Sequence, residues 1–124
     1  MKRFAPILIV FMIGCAHRPF EDWTRADTAR QVAYTALHII DISQTVQIAK
    51  NPDNFKEIGL LKFYSGEHPS EQQVYEFGIT TLILQTAIPA MLKSKYRRIY
   101  QWFWIGAEGG NVARNFSIGL HGSF

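Results

Sequence analysis

The chain has 124 residues, 48% of them hydrophobic and 14% aromatic, with a formal charge of +3 and a single cysteine. That length suits one domain rather than two, and a lone cysteine excludes an intramolecular disulfide framework or a cysteine-rich metal site. The positive residues crowd at Lys93, Lys95, Arg97 and Arg98; no basic helix with base-reading side chains accompanies them, so nucleic acid is not an expected partner.

At the start, Met1-Lys2-Arg3 precede an apolar run from Phe4 to Ile13 that closes on Gly14-Cys15-Ala16. Basic, apolar, small is the order of a secretory signal peptide, and the uncharged run is shorter than the roughly 20 residues a membrane span requires. Met12-Ile13-Gly14-Cys15 resembles the bacterial lipobox, whose cysteine is diacylated and then exposed by cleavage; the thiolate is the only good nucleophile nearby. The expected organisation is a signal peptide at 1–14, lipidation (palmitate) at Cys15, and one helical membrane-associated domain over 15–124. An uncleaved short anchor with an incidental buried cysteine is the plain alternative.

A first helix is expected from Thr24 or Asp27 to Lys50, stopped by Asn51-Pro52-Asp53-Asn54. At 100° per residue, Gln31, Thr35, His38, Asp41 and Thr45 form one polar stripe. In water the stripe would be a solvated face; against lipid it would turn inward to other helices. The loop that follows holds "GEHPSEQQ", with Glu67, His68 and Glu71 within five positions. Ser70 and Gln73 read as a capping box opening the next helix, so a rigid helix start competes with a chemical role for His68 as base or ligand.

The second helix is expected from Ser70 to about Leu92. Val74 to Leu92 carries a single charge, Glu76, which makes it the best transmembrane candidate, kinked at Pro89. A hairpin through the membrane would put the basic "KSKYRR" turn in the cytoplasm, in agreement with the positive-inside rule; a buried helix of a soluble bundle is the competing reading. The third helix opens with Tyr100, Trp102, Phe103 and Trp104 and continues through Glu108, Asn111, Arg114 and Asn115. Arg114 is expected to pair with Glu108, Asp41 or Glu76, because an unpaired charge at membrane depth costs at least about 2.5 kcal/mol. The closing "FSIGLHGSF" alternates like a short strand. The fold class is therefore all-α, a small helical bundle or hairpin of three main helices with a strand-like C-terminal tail.

With "ADTARQVAYTALHIIDISQTVQIAKNPDNFKE", "GEHPS" and "FWIGAEGGNVARNFSIGL" in view, the chain from about Asp22 to Phe124 resembles a group of short uncharacterised proteins of bacteriophages and their bacterial hosts. They share a His-x-x-Asp helix, a Gly-Glu-His-Pro-Ser turn and a last helix with Glu and Asn. The resemblance implies that these elements belong together and implies no reaction. The candidate polar network is His38, Asp41, Glu67, His68, Glu108, Asn111 and Arg114, with no cofactor, metal or catalytic residue assigned. Two functions follow: a non-enzymatic envelope lipoprotein in the inner or outer membrane, with membrane lipid and another envelope protein as partners, or a small intramembrane enzyme or metal binder using His38, Asp41, Glu67 and His68.

Overall fold

The computed structural model describes residues 18–123, so the expected signal peptide at 1–14 and lipidation site at Cys15 lie outside the described residues. Among the described residues there are four helices and no strand: α1 Arg25–Lys50, the short α2 Leu61–Ser65, α3 Glu71–Met91 and α4 Ser94–Ser117.

Each long helix has a definite local origin. Thr24 caps α1 by accepting from the Asp27 N–H at 3.1 Å, while the Asp27 carboxylate accepts from the Thr24 N–H at 2.8 Å. This reciprocal pair satisfies two of the orphan donors at the helix start. Asn51, followed by Pro52, ends α1. Ser70 and Gln73 form the second capping box, opening α3. That helix runs through Pro89, which has no N–H to give the carbonyl of Gln85 four residues back. Gln31 supplies the missing donor from α1, its Nε2 lying 3.2 Å from Gln85 O.

α1 is the central element. It packs antiparallel to α3, where Gly78 admits the side chain of Ile42: a Cβ at Gly78 would come within 2.8 Å of it. It runs alongside α4 with the same direction, as the contacts Arg30 to Gln101 and Gln44 to Val112 require. The apolar core is small and confined to one end, where Ile42, Val46, Leu61 and Val74 cluster against Ala49 and Phe77. Much of the remaining interior is polar: Asp27, His38, Gln44, Thr45, Arg97, Gln101, Glu108 and Asn115 are all buried, alongside Tyr34, Ala90, Val112 and Leu120. The stripe on α1 thus turns inward, and Val32, Ile39 and Ile40 face outward.

Three expectations are corrected. No helix among the described residues is long and apolar enough to cross a membrane; α3, the transmembrane candidate, begins with polar Glu71, Gln72 and Gln73 and carries Thr80, Thr81, Gln85 and Thr86 along its length. The basic cluster is not a turn, because only Leu92 and Lys93 separate α3 from α4, and Arg97 lies inside α4, fully buried. The C-terminal tail is not a strand. Gly119 takes a left-handed φ of 91°, the Leu120 N–H reaches Asn115 O at 2.9 Å and the Gly119 N–H reaches Phe116 O at 3.1 Å. These are the two bonds of a Schellman helix stop, and the alternation of apolar residues serves only to bury Leu120. The tail then lies along α1, with the Gln47 side-chain oxygen accepting from the His121 and Gly122 N–H groups and Ser123 N–H donating to Ser43 O.

Gly119 offers a clean test of this stop, since a Cβ there would meet nothing within 4 Å. Gly119→Ala is expected to cost about 1–2 kcal/mol, the backbone penalty of a left-handed alanine, in a urea titration. An unchanged midpoint would show that the tail is not held in this conformation.

Candidate functional site

The polar face of α1 and that of α4 meet at two clusters. The first surrounds Arg97. Its Nε donates to Pro89 O at 2.9 Å, Nη2 to Glu21 O at 2.7 Å and Leu92 O at 2.8 Å, and Nη1 to Asp22 O and Asp27 Oδ2 at 3.3 Å each. The guanidinium also lies over the Trp23 ring at 4.9 Å. Arg30 pairs with the other Asp27 oxygen and with Gln101. Burial pushes the Asp27 carboxyl up, but the hydrogen bonds from Thr24, Arg30 and Arg97 outweigh it and hold the group below the usual carboxylate range. This cluster joins the chain before α1 to the end of α3 and the start of α4. Each guanidinium nitrogen is engaged by groups of the chain itself, which makes the cluster structural.

The second cluster centres on His38. Nδ1 lies 2.9 Å from Glu108 Oε1, and Nε2 lies 3.0 Å from both Gly78 O and the Thr81 hydroxyl. Thr81 directs its own proton to Phe77 O at 2.7 Å, so each ring nitrogen faces an acceptor and the imidazolium satisfies both. Burial opposes that charge, yet the hydrogen bonds His38 donates to Glu108 and to Gly78 O, with the charges of Glu108 and Asp41, prevail, and His38 is held above its ordinary value. Tyr34 stacks on the ring at 5.5 Å with its hydroxyl 3.3 Å from Nδ1. Burial first, then the Glu108 and Glu57 carboxylates, raise Asp41 to about 7, with His38 acting in the opposite direction. Asn115 donates to Asp41 Oδ1 at 3.2 Å and to Gln44 Oε1 at 3.1 Å.

The second cluster forms one wall of a cavity of about 370 Å³, bounded by α1, α3 and α4, by the loop from Glu57 to Leu60 and by Leu61 of α2. Of the expected network, His38, Asp41, Glu108, Asn111 and Arg114 line it. Arg114 is exposed and makes none of the ion pairs expected with Glu108, Asp41 or Glu76. Glu67 and His68 are not brought to the site. Glu67 pairs with Lys62 at 2.8 Å on the surface, which lowers its carboxyl, and His68 is exposed. The "GEHPS" stretch is thus a helix start, with Gly66 at a φ of 85° and Ser70 as cap. Among the described residues no group of three or more His, Cys, Asp or Glu is placed to hold a metal ion.

Gln101, Tyr34 and Gln44 were not singled out by sequence reasoning, and Arg97 entered it only as part of the basic cluster. A signal existed: Arg97, Gln101, Glu108, Val112 and Asn115 are spaced 4, 7, 4 and 3 residues apart, one helical face. It is missed when only apolar residues are taken as inward.

The fold and site together define an all-α bundle with a polar interior and a carboxylate-lined cavity. No family model, curated protein or solved structure matches the chain.

Proposed function

We propose that the chain is a non-enzymatic envelope lipoprotein, anchored through Cys15, whose helical domain binds or occludes another membrane protein in the manner of a phage-encoded exclusion or lysis accessory. The observation that carries the reading is the inverted distribution of polarity. Ile79 and Ile83 on α3, Ile99, Trp102 and Phe103 on α4 and Val32 on α1 are all about 60% exposed, while the interior holds an ion-pair network. Large apolar side chains this exposed on a small domain mark an interaction face, and aromatic side chains dominate the energetics of such faces.

The end of the bundle nearest the anchor supports the same reading. Arg25 starts α1, Lys93 lies in the α3–α4 connection with Lys95 and Arg98 in the first turns of α4, and Arg18 comes three residues after Cys15 in the sequence. Phe20 N–H bonds to Ala90 O at 2.8 Å, so little free chain separates the bundle from the cysteine. A basic surface beside an acyl chain supplies the second signal that stable membrane attachment needs.

Two measurements test the proposal. Labelled palmitate is expected to enter the wild type and not Cys15→Ser; an unlabelled, uncleaved wild type would remove the anchor. A photo-crosslinking residue at Ile83 or Trp102 is expected to trap a distinct protein in native envelopes. Adducts with lipid alone, or with a second copy alone, would overturn the docking assignment.

A further inference from the structure

We infer that the cavity between the three long helices is a binding site for a small organic ammonium ion with an apolar body. Its volume, about 370 Å³, falls in the range of small-molecule pockets. Three carboxyl groups from three different segments face it: Asp41 on α1, Glu57 on the loop and Glu108 on α4. The cations facing it are His38 and the exposed Arg114, and α3 contributes no charged group, only Phe77, Thr81 and Gln85.

The carboxylates are not fully compensated by the protein. His38 occupies Glu108 Oε1, but Glu108 is only 8% exposed and its Oε2 is buried with no hydrogen-bond partner. Such an orphan acceptor carries the full desolvation penalty unless a donor arrives. Asp41 has a neutral amide, Asn115, as its hydrogen-bond donor. An ammonium group carries three donors and a full charge, which suits Glu108 and Asp41, both on the cavity lining. Phe77, Phe103 and Trp104 on the cavity wall offer aromatic surface to the rest of the ligand, and to its charge through cation–π attraction. An anion would meet the three carboxyl groups.

Binding should also be linked to protons. An ammonium ion favours ionised Asp41, so affinity rises as pH climbs through about 7, where Asp41 titrates in the free protein, and binding below that range releases a proton. His38, Glu57, Glu108, Tyr34 and Arg114 surround the group.

The test is calorimetric titration of the full chain in mild non-ionic detergent with 2-phenylethylammonium, and with neutral 2-phenylethanol as its isostere. Saturable binding of the ammonium, at least tenfold tighter than the alcohol and tighter at pH 8 than at pH 6, is expected. Glu108→Gln is expected to weaken it at least tenfold. Asp41→Asn, which keeps the acceptor for Asn115 and serves if Glu108→Gln does not fold, is expected to weaken it and abolish the pH dependence. Equal binding of the alcohol would show an apolar pocket without charge selection and overturn the assignment, as would no binding of the ammonium or unchanged affinity in folded variants.

Discussion

Arg97→Ala is expected to destabilise the domain by about 3–5 kcal/mol, the usual cost of breaking a buried charged network from one side. Its guanidinium is fully buried and meets five oxygens, four of them backbone carbonyls of Glu21, Asp22, Pro89 and Leu92. All four would be left without that donor. Phe20 and Asp22 adopt left-handed φ values of 61° and 54°, a cost of about 1–2 kcal/mol each that the bonds to Arg97 help to offset. Arg97→Lys is expected to recover only part of the loss, because an ammonium has three donors and no planar fork. Urea titration followed by Trp23 fluorescence checks both variants. For a domain whose whole stability is on the order of 5–15 kcal/mol, the alanine variant approaches unfolding at 37 °C; a change within about 0.5 kcal/mol would mean that Arg97 is not enclosed.

The second large effect belongs to His38 and Glu108. His38→Ala leaves a carboxylate buried beside Asp41 and Glu57, and a loss of about 3–5 kcal/mol is expected. Glu108→Gln should cost less at pH 8, because His38 can then shed its proton, and the double variant should lose less than the sum. The pH profile follows from the same groups. His38 is raised in the fold, so its contribution is complete below its unfolded value of about 6.5 and is lost as pH rises through the higher folded value. Asp41 is also raised, to about 7, so the fold favours its neutral form and loses that advantage between about pH 4, where the unfolded carboxyl ionises, and 7. Asp27 is lowered, so its contribution is present above about 3.9 and lost as pH falls below that. Stability is therefore expected to peak in mild acid and decline toward alkaline pH. Asp41→Asn should match the wild type near pH 4 and exceed it at pH 8. A profile flat from pH 4 to 9 would contradict the buried charges. Arg114→Ala, exposed and outside these ion pairs, is expected to lie within about 0.5 kcal/mol of wild type.

Local chemistry was legible in the sequence. The helix start near Thr24, the capping box at Ser70, the stop at Asn51-Pro52 and the helical spacing of Gln31, Thr35, His38, Asp41 and Thr45 rest on interactions within a few residues, so they can be read from neighbours alone. The all-α class follows from them. What hydropathy could not decide was which side of each helix faces in, because here the two sides exchange their usual roles. Val32, Ile83 and Trp102 are outside, whereas Arg97 and Glu108 are inside. A charge can be buried only when its partners arrive, and those partners are 70 or more residues away for Asp27 with Arg97 and His38 with Glu108. Glu67 and His68 looked like members of the same network because they are dense in sequence, but a turn fixed by Gly66 and the Ser70 cap directs them elsewhere. Reading along the chain locates the three long helical segments and the polar stripe of α1, but neither the short α2 nor the start of α4 at Ser94; which polar faces meet is settled in three dimensions, since pairing a buried charge depends on distance in space and not along the chain.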